Sequence, residues 1–307
     1  MDRNHFYYLI KPIVPRYIQI LLRRYVARYQ RKRCPHIWPI DERAGNPPPG
    51  WNGWPGGKQF AFALLHDVDT LKGHEKVRDL AALEERLGLR SCFNFVPEGY
   101  PVSGRLRDEL KGRGFEVGVH GLVHDGRLFS SRDLFLKRAS KINRYLKEWA
   151  GAGFSSPSMH HRLEWMHDIE MQYDISTFDT DPFEPQPDPA GTIFPFWYQQ
   201  SPSHRGFVEI PYTLSQDFTI FILLEEKDAS VWKRKLDWIA QKGGLALLDT
   251  HPDYMNFKGN GLSMEEYPSG LYEEFLSYVK TKYVGGYWHA LPKEIAGFWH
   301  MNRDLRA

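Results

Sequence analysis

Short apolar runs alternate with amphipathic segments from residue 60 almost to the end of the chain. Residues 60–65, FAFALL, form one such run, and a run of this length is typical of a buried strand. Between the runs, apolar residues recur every three or four positions, as on one face of a helix. The pattern predicts strands at residues 60–65, 91–96, 115–119, 207–213 and 245–248, and helices at residues 77–87, 106–111, 130–149, 230–241 and 291–300.

Strands that alternate with helices predict a parallel sheet with helices on its outside, and we expect this sheet to close as a barrel. We therefore assign residues 58–307 to a single α/β barrel domain. In such barrels the chemistry lies at the carboxyl ends of the strands. The side chains that directly follow each predicted strand are therefore the first candidates for a functional site.

The first 57 residues have a different character. Residues 6–33 have helical apolar spacing interrupted by two prolines, and residues 45–57, GNPPPGWNGWPGG, predict a linker or irregular loop. Residues 1–34 hold nine Lys or Arg and one acid, a net charge of +8, whereas the rest holds 31 basic and 37 acidic residues. A basic amphipathic helix can bind an anionic membrane surface. It can equally pack along the barrel with its arginines in water, and the periodicity alone favours neither.

Composition narrows the cellular setting. No apolar run approaches the roughly 18 residues of a membrane-spanning helix, and the charged and proline-broken start does not resemble a secretory signal. Two cysteines form no disulfide framework. We expect a cytoplasmic protein, peripheral at the inner face of the membrane if the basic segment binds lipid, with no nucleic-acid partner.

Three predicted strands end in clusters of ionisable residues. The sequence HDVD follows at residues 66–69, HGLVH at 120–124 and DTHPD at 249–253. Because parallel strands end at the same edge of a sheet, these clusters can converge on one pocket.

The spacing of two histidines indicates a metal site. His120 and His124 are four residues apart, which on a helical turn places both imidazoles on one face, within reach of one ion. Asp69 or Asp67 can be the third ligand, and the other carboxylate is then free to act as a base. Imidazole with carboxylate suits a divalent cation, and we expect one zinc ion with an open position for water.

These motifs resemble those of the polysaccharide deacetylases, carbohydrate esterase family 4. That family has an Asp-x-Asp or Asp-Asp motif, here Asp67-Val68-Asp69, and a His-x-x-x-His motif, here His120 to His124. It also has a late histidine after an apolar strand, here His251. The resemblance spans residues 60–251 in the family's order and implies a distorted (β/α) barrel of seven strands.

The resemblance also implies a role for each residue. Asp67 corresponds to the general base and Asp69 to the metal-binding carboxylate. His120 and His124 correspond to the other two ligands. His251 corresponds to the general acid that protonates the leaving amine.

The third motif of the family, Arg-x-Pro-aromatic, is only partly present. Its Arg orients the base carboxylate, but Ser155 stands in that place, followed by Pro157 and by Ser158 in the aromatic position. The backbone N–H of Ser158 is still expected to serve the oxyanion. Arg162, a few residues on, can replace the missing guanidinium.

The fourth motif is approximate as well. Asp179 and Asp181 lie in the expected interval, and either can tune the base or the catalytic histidine. Five aromatic residues are further candidates for stacking on sugar rings: Trp165, Phe183, Trp197, Tyr198 and Tyr254.

The expected function is metal-dependent hydrolysis of an acetyl amide or ester on a carbohydrate, in the biosynthesis of a cell-surface glycan. Two alternatives stay open. One is a cyclic-amide (ureide) hydrolase on the same barrel. The other is a glycan-binding protein that keeps the metal but has weakened catalysis through Ser155.

Overall fold

The structure is a computed structural model of the chain, and it describes residues 14–259 and 261–302. The predicted break at Pro12 and the first part of the predicted helix over residues 6–33 lie outside this part. The strands are β1 Phe60–Val68, β2 Cys92–Phe95, β3 Glu116–His120, β4 Gly153–Ser155, β5 Tyr173–Asp174, β6 Phe196–Tyr198, β7 Phe207–Glu209, β8 Leu245–Thr250, β9 Met255–Asn256, β10 Tyr267–Pro268 and β11 Tyr287–His289. The helices are α1 Arg16–Arg33, α2 Leu71–Arg86, α3 Gly104–Gly112, α4 Arg132–Trp149, α5 Leu163–Met166, α6 Ser230–Lys242, α7 Ser269–Lys282 and α8 Pro292–Met301.

The main sheet has the strand order β11-β1-β2-β3-β4-β5-β7-β6, and β8 also pairs with β1. Every pairing in it is parallel except that of β6 with β7. Beyond β7 the chain continues to Leu214, which forms a parallel bridge with Leu248 of β8 and so brings the two ends of the sheet together. The predicted barrel is confirmed. The strand number differs, since β6 and β11 bring the sheet to nine strands instead of seven.

The central strand shows why the sequence folds in this way. All nine residues of β1 are buried, as expected for a parallel strand covered on both faces. The next helix begins immediately, because the hydroxyl of Thr70 accepts a hydrogen bond from the backbone N–H of Lys72 and caps α2. The loop between β1 and α2 is therefore short, and it holds Asp69 at the carboxyl edge of the sheet.

Residues 14–57 pack against the barrel. Ile20 and Ala27 of α1 are buried, and the helix contacts the π-helical segment Phe218–Leu223. The Trp54 side chain is buried and donates a hydrogen bond to the carbonyl of Gly243. No helix in the described part of the chain is long and apolar enough to span a membrane.

Candidate active site

The carboxyl ends of three strands bring the predicted residues together. Asp67 lies near the end of β1, His120 is the last residue of β3, and His251 follows β8. The register between β3 and β4 places His120 opposite Ser155. The clusters that the sequence placed after separate strands thus form one polar site, which is buried around Asp67 and His120 and open to solvent at His124.

Asp69, His120 and His124 form a group with the geometry of metal ligands. Nε2 of His120 lies 3.4 Å from Oδ1 of Asp69, and Nε2 of His124 lies 3.2 Å from the same oxygen. Donor atoms bound to one tetrahedral zinc ion are about 3.3–3.4 Å apart. The Oδ1 atom is buried and lies within ion-pair distance of both imidazoles. The donor set therefore fits a divalent cation.

The electrostatics of Asp69 agree with this geometry. Burial opposes the charged form of the carboxyl, but His124 and His120 outweigh it and hold the pKa of Asp69 well below its usual range. A metal ligand has to be deprotonated, and Asp69 meets that requirement.

Ser155 fixes the orientation of His120. The Ser155 hydroxyl donates to Oδ1 of Asp67 at 2.8 Å and accepts from the side-chain amide of Asn94 at 2.9 Å. Its only proton is therefore committed to Asp67. Nδ1 of His120, 2.7 Å away, must then be the donor in their hydrogen bond. When His120 is neutral, this tautomer leaves Nε2, which is directed to Asp69, without a proton, as a metal ligand requires.

Ser155 also forms the contact with Asp67 that the sequence analysis expected of Arg162. Ser155 is fully buried and bonds directly to Asp67. The guanidinium of Arg162, in contrast, lies 4.9 Å from the ring of Trp165 and 3.8 Å from Glu164, and its side chain is 53% exposed. The expectation that Arg162 replaces the missing guanidinium is wrong, because its side chain points to the surface.

His251 has a carboxylate partner that the sequence reasoning missed. Nδ1 of His251 lies 2.8 Å from Oδ1 of Asp217, and the backbone N–H of His251 donates to Oδ2 of Asp217 at 2.9 Å. Burial opposes the protonated imidazole, but Asp217 and Asp249 outweigh it and raise the pKa of His251 well above its usual range. A protonated His251 is suited to the role of a general acid.

Asp179 and Asp181 have other partners. Asp179 is buried in an ion pair with Lys235, with Oδ2 2.5 Å from Nζ. Asp181 accepts a hydrogen bond from the backbone N–H of Phe183 and so stabilises a turn. These contacts do not support the prediction that either residue tunes the base or the catalytic histidine, and Asp217 is the carboxylate in contact with His251.

The remaining predicted residue of the third motif, Ser158, lies directly beyond β4. It has a left-handed backbone with φ of 57° in the turn Pro157–Met159. His66, next to Asp67, contacts Glu84 and Thr250 at 2.7 and 2.8 Å. It is therefore engaged in a buried hydrogen-bond network away from the metal-ligand group.

Asp253 links the loop after β8 to the loop that carries Asp69. Its carboxylate accepts hydrogen bonds from the backbone N–H of Asp69, at 3.0 Å, and from the hydroxyl of Thr70. A Cβ atom at Gly73 would lie 2.0 Å from Oδ2 of Asp253. Glycine in the first turn of α2 is therefore what allows this carboxylate to approach.

The described residues also line a cavity of 1810 Å³, and its wall includes Arg162 and Asp181 but none of the metal-ligand group, Asp67 or His251. Gly126 and Arg127, which follow His124 in sequence, belong to its wall. Tyr198 lines it, whereas the other four aromatic residues predicted to stack on sugars do not. Its walls combine aromatic rings with charged and amide side chains, a composition suited to a polar ligand with apolar faces.

Comparisons with known proteins identify the fold. No family model and no curated protein matches the sequence. A protein assigned as a polysaccharide deacetylase from Mycobacterium smegmatis superimposes with a TM-score of 0.63 and 17% identity, over 84% of this chain and 95% of that chain. Puue allantoinase gives a TM-score of 0.62 and 16% identity, over 86% of this chain and 98% of its own.

A second protein assigned as a polysaccharide deacetylase, from Pseudomonas aeruginosa PAO1, gives a TM-score of 0.62 and 17% identity, over 86% and 98% of the two chains. At this level of identity the likeness establishes the fold and nothing finer. The chain has a polysaccharide-deacetylase-like fold, as the motifs indicated.

Proposed function

We propose that the protein is a metal-dependent hydrolase that removes an acetyl group from a carbohydrate, acting on an amide or an ester. The observation that carries this proposal is the group formed by Asp69, His120 and His124, with nitrogen–oxygen distances of 3.2 and 3.4 Å. Two imidazoles and one carboxylate favour zinc among the divalent cations.

The surrounding residues have the arrangement that amide hydrolysis requires. A bound divalent cation polarises the carbonyl group and makes water more acidic. Asp67, held by Ser155, takes the proton of the attacking water. His251, held by Asp217, gives a proton to the leaving nitrogen. The backbone N–H of Ser158 is our candidate donor to the oxyanion.

The hydrogen bonds of Ser155 support a catalytically active enzyme over a protein that only binds a glycan. In place of a charged guanidinium, Asp67 receives a neutral hydrogen bond of 2.8 Å from Ser155. The base is therefore still oriented, although by a weaker donor. This favours an active hydrolase over the alternative of a binding protein without catalysis.

The proposed substrate is an acetylated oligosaccharide, with a cell-surface glycan intermediate as the natural substrate. Aromatic and polar side chains on the wall of the cavity suit sugar rings.

Helix α1 is our candidate for peripheral membrane contact. Arg24 and Arg28 pair with Glu225, and Arg31 pairs with Glu226, so these cations face the barrel. Six large apolar or aromatic side chains of the helix are exposed instead: Tyr17, Leu21, Leu22, Tyr25, Val26 and Tyr29. A helix with this outer face binds lipid by burying apolar area. We therefore expect binding at the cytoplasmic face to depend on salt less than a purely electrostatic contact would.

The proposal is tested by acetate release. Protein stripped of metal and then given one equivalent of zinc should release acetate from chitooligosaccharides or from acetylated xylo-oligosaccharides. His120→Ala should abolish the reaction, whereas His36→Ala, at an exposed position, is the matched control. An unchanged rate after metal removal, or turnover of allantoin in preference to both oligosaccharides, would contradict the proposal.

A further inference from the structure

A second group of candidate metal ligands lies beside the first. Asp67, Asp249 and His251 each offer one ligand atom, and these atoms lie within 4.8 Å of one another. The three residues are 1%, 0% and 7% exposed. The proposed mechanism uses Asp67 and His251 but gives no role to Asp249.

Each carboxylate of this group has one oxygen atom without a hydrogen bond. Oδ2 of Asp67 and Oδ1 of Asp249 are buried and accept no hydrogen bond within the described chain. Their other oxygens are occupied, by the hydroxyl of Ser155 at 2.8 Å and by the amide of Gln216 at 2.8 Å. Buried carboxylate oxygens without a partner are costly, and a cation would satisfy both.

The histidine is prepared for a ligand in the same way. Its Nδ1 contacts Asp217 at 2.8 Å, so Nε2 is the nitrogen left for another group. A histidine whose second nitrogen is held by a carboxylate is the usual arrangement around bound zinc.

The charge of the site also leaves room for a second cation. Asp67, Asp69, Asp217, Asp249 and Asp253 cluster here, and no Lys or Arg side chain of the described chain forms an ion pair with any of them. A second divalent cation would offset carboxylate charge that no Lys or Arg side chain of the described residues balances.

We propose that a second divalent cation, with zinc as the probe, binds Asp67, Asp249 and His251, with Asp217 as the outer carboxylate. The inference rests on the proposed function, since it predicts that this cation inhibits the enzyme. It would engage the residue that accepts the proton of water and the residue that protonates the leaving nitrogen.

The direct test is metal stoichiometry. Full-length protein stripped of metal is dialysed against buffered zinc, and zinc per chain is measured by elemental analysis. The wild type should bind two ions, and Asp249→Asn and His120→Ala should each bind one. Gln216→Ala, a milder change, should bind the second ion at least tenfold more weakly and the first one normally.

The controls separate this site from adventitious binding. His167 and His204 lie with ring centroids 4.2 Å apart and serve as the control for adventitious zinc binding. His204→Ala should leave two ions bound. If that variant loses one ion, if Asp249→Asn keeps two, or if the wild type binds only one, the second site is refuted. Failure of the wild type to bind any zinc would instead refute the proposed function.

A second readout is inhibition. Acetate release should rise up to one equivalent of zinc and fall at least tenfold as the second ion binds. The falling phase should be absent in Asp249→Asn. A falling phase of equal size in that variant would show that the inhibition arises elsewhere.

Discussion

The buried hydroxyl of Ser155 should be required for full activity. Ser155→Ala removes the donor to Asp67 and the acceptor for Nδ1 of His120. A hydrogen bond to a charged group contributes about 1.5–3 kcal/mol, equivalent to roughly 10- to 150-fold in rate. We therefore expect kcat/KM for acetate release to fall by about this factor.

The same variant should weaken the metal site. Loss of a residue that orients a ligand commonly costs about 10–100-fold in metal affinity, and Ser155 sets the tautomer of His120. The Kd for zinc, measured by competition with a chelator, should rise accordingly.

The change Ser155→Arg, which would introduce the guanidinium of the family motif, should not raise activity. The fully buried site between Asn94 and Asp67 has no room for the longer side chain.

The neighbouring serine provides the matched control. The hydroxyl of Ser156 is also buried, but it forms no hydrogen bond with any residue that the structure describes. Ser156→Ala should therefore leave kcat/KM and the zinc Kd within about twofold of the wild type. If Ser155→Ala behaves like Ser156→Ala in both assays, the role assigned to Ser155 is wrong.

Three further predictions concern the acid, the stability and the membrane. Asp217→Asn should lower the pKa of His251 and move the alkaline limb of the pH–rate profile down by at least about one pH unit; an unmoved limb would exclude this pairing. Burial raises the pKa of Glu116 from 4.5 to about 7, so the folded chain keeps a proton that the unfolded chain loses. This group should then lower the free energy of unfolding by about 3 kcal/mol as the pH rises from 4.5 to 7, and the pH profile of urea unfolding of Glu116→Gln should differ from that of the wild type by this amount. Full-length protein should sediment with phosphatidylglycerol vesicles, and Leu21→Glu with Tyr25→Glu should abolish this binding while Val284→Glu, at an 81% exposed apolar residue, should not.

The sequence predicted the site where the functional residues directly follow strands. Asp67, Asp69, His120 and His124 are brought together because β1 and β3 are parallel and end at one edge of the sheet. Their positions were therefore readable from short apolar runs followed by ionisable residues.

Residues that reach the site through irregular backbone were harder to predict. Asp217 lies beyond β7, after a stretch of chain that pairs with β8 as an isolated bridge at Leu214 and not as a regular strand. No spacing rule connects Asp217 to His251, although both follow apolar segments. Helix α7 was also missed. Its buried residues Tyr272, Phe275, Leu276 and Val279 have helical spacing, so the apolar pattern could have predicted it.

The measurement that tests the central claim most directly is anomalous diffraction at the zinc edge from crystals given one equivalent of zinc. We expect one strong anomalous peak about 2.0–2.1 Å from Nε2 of His120 and Nε2 of His124, and about 2.0–2.2 Å from the carboxylate of Asp69. Absence of a peak between these three residues, with zinc bound elsewhere or nowhere, would contradict it.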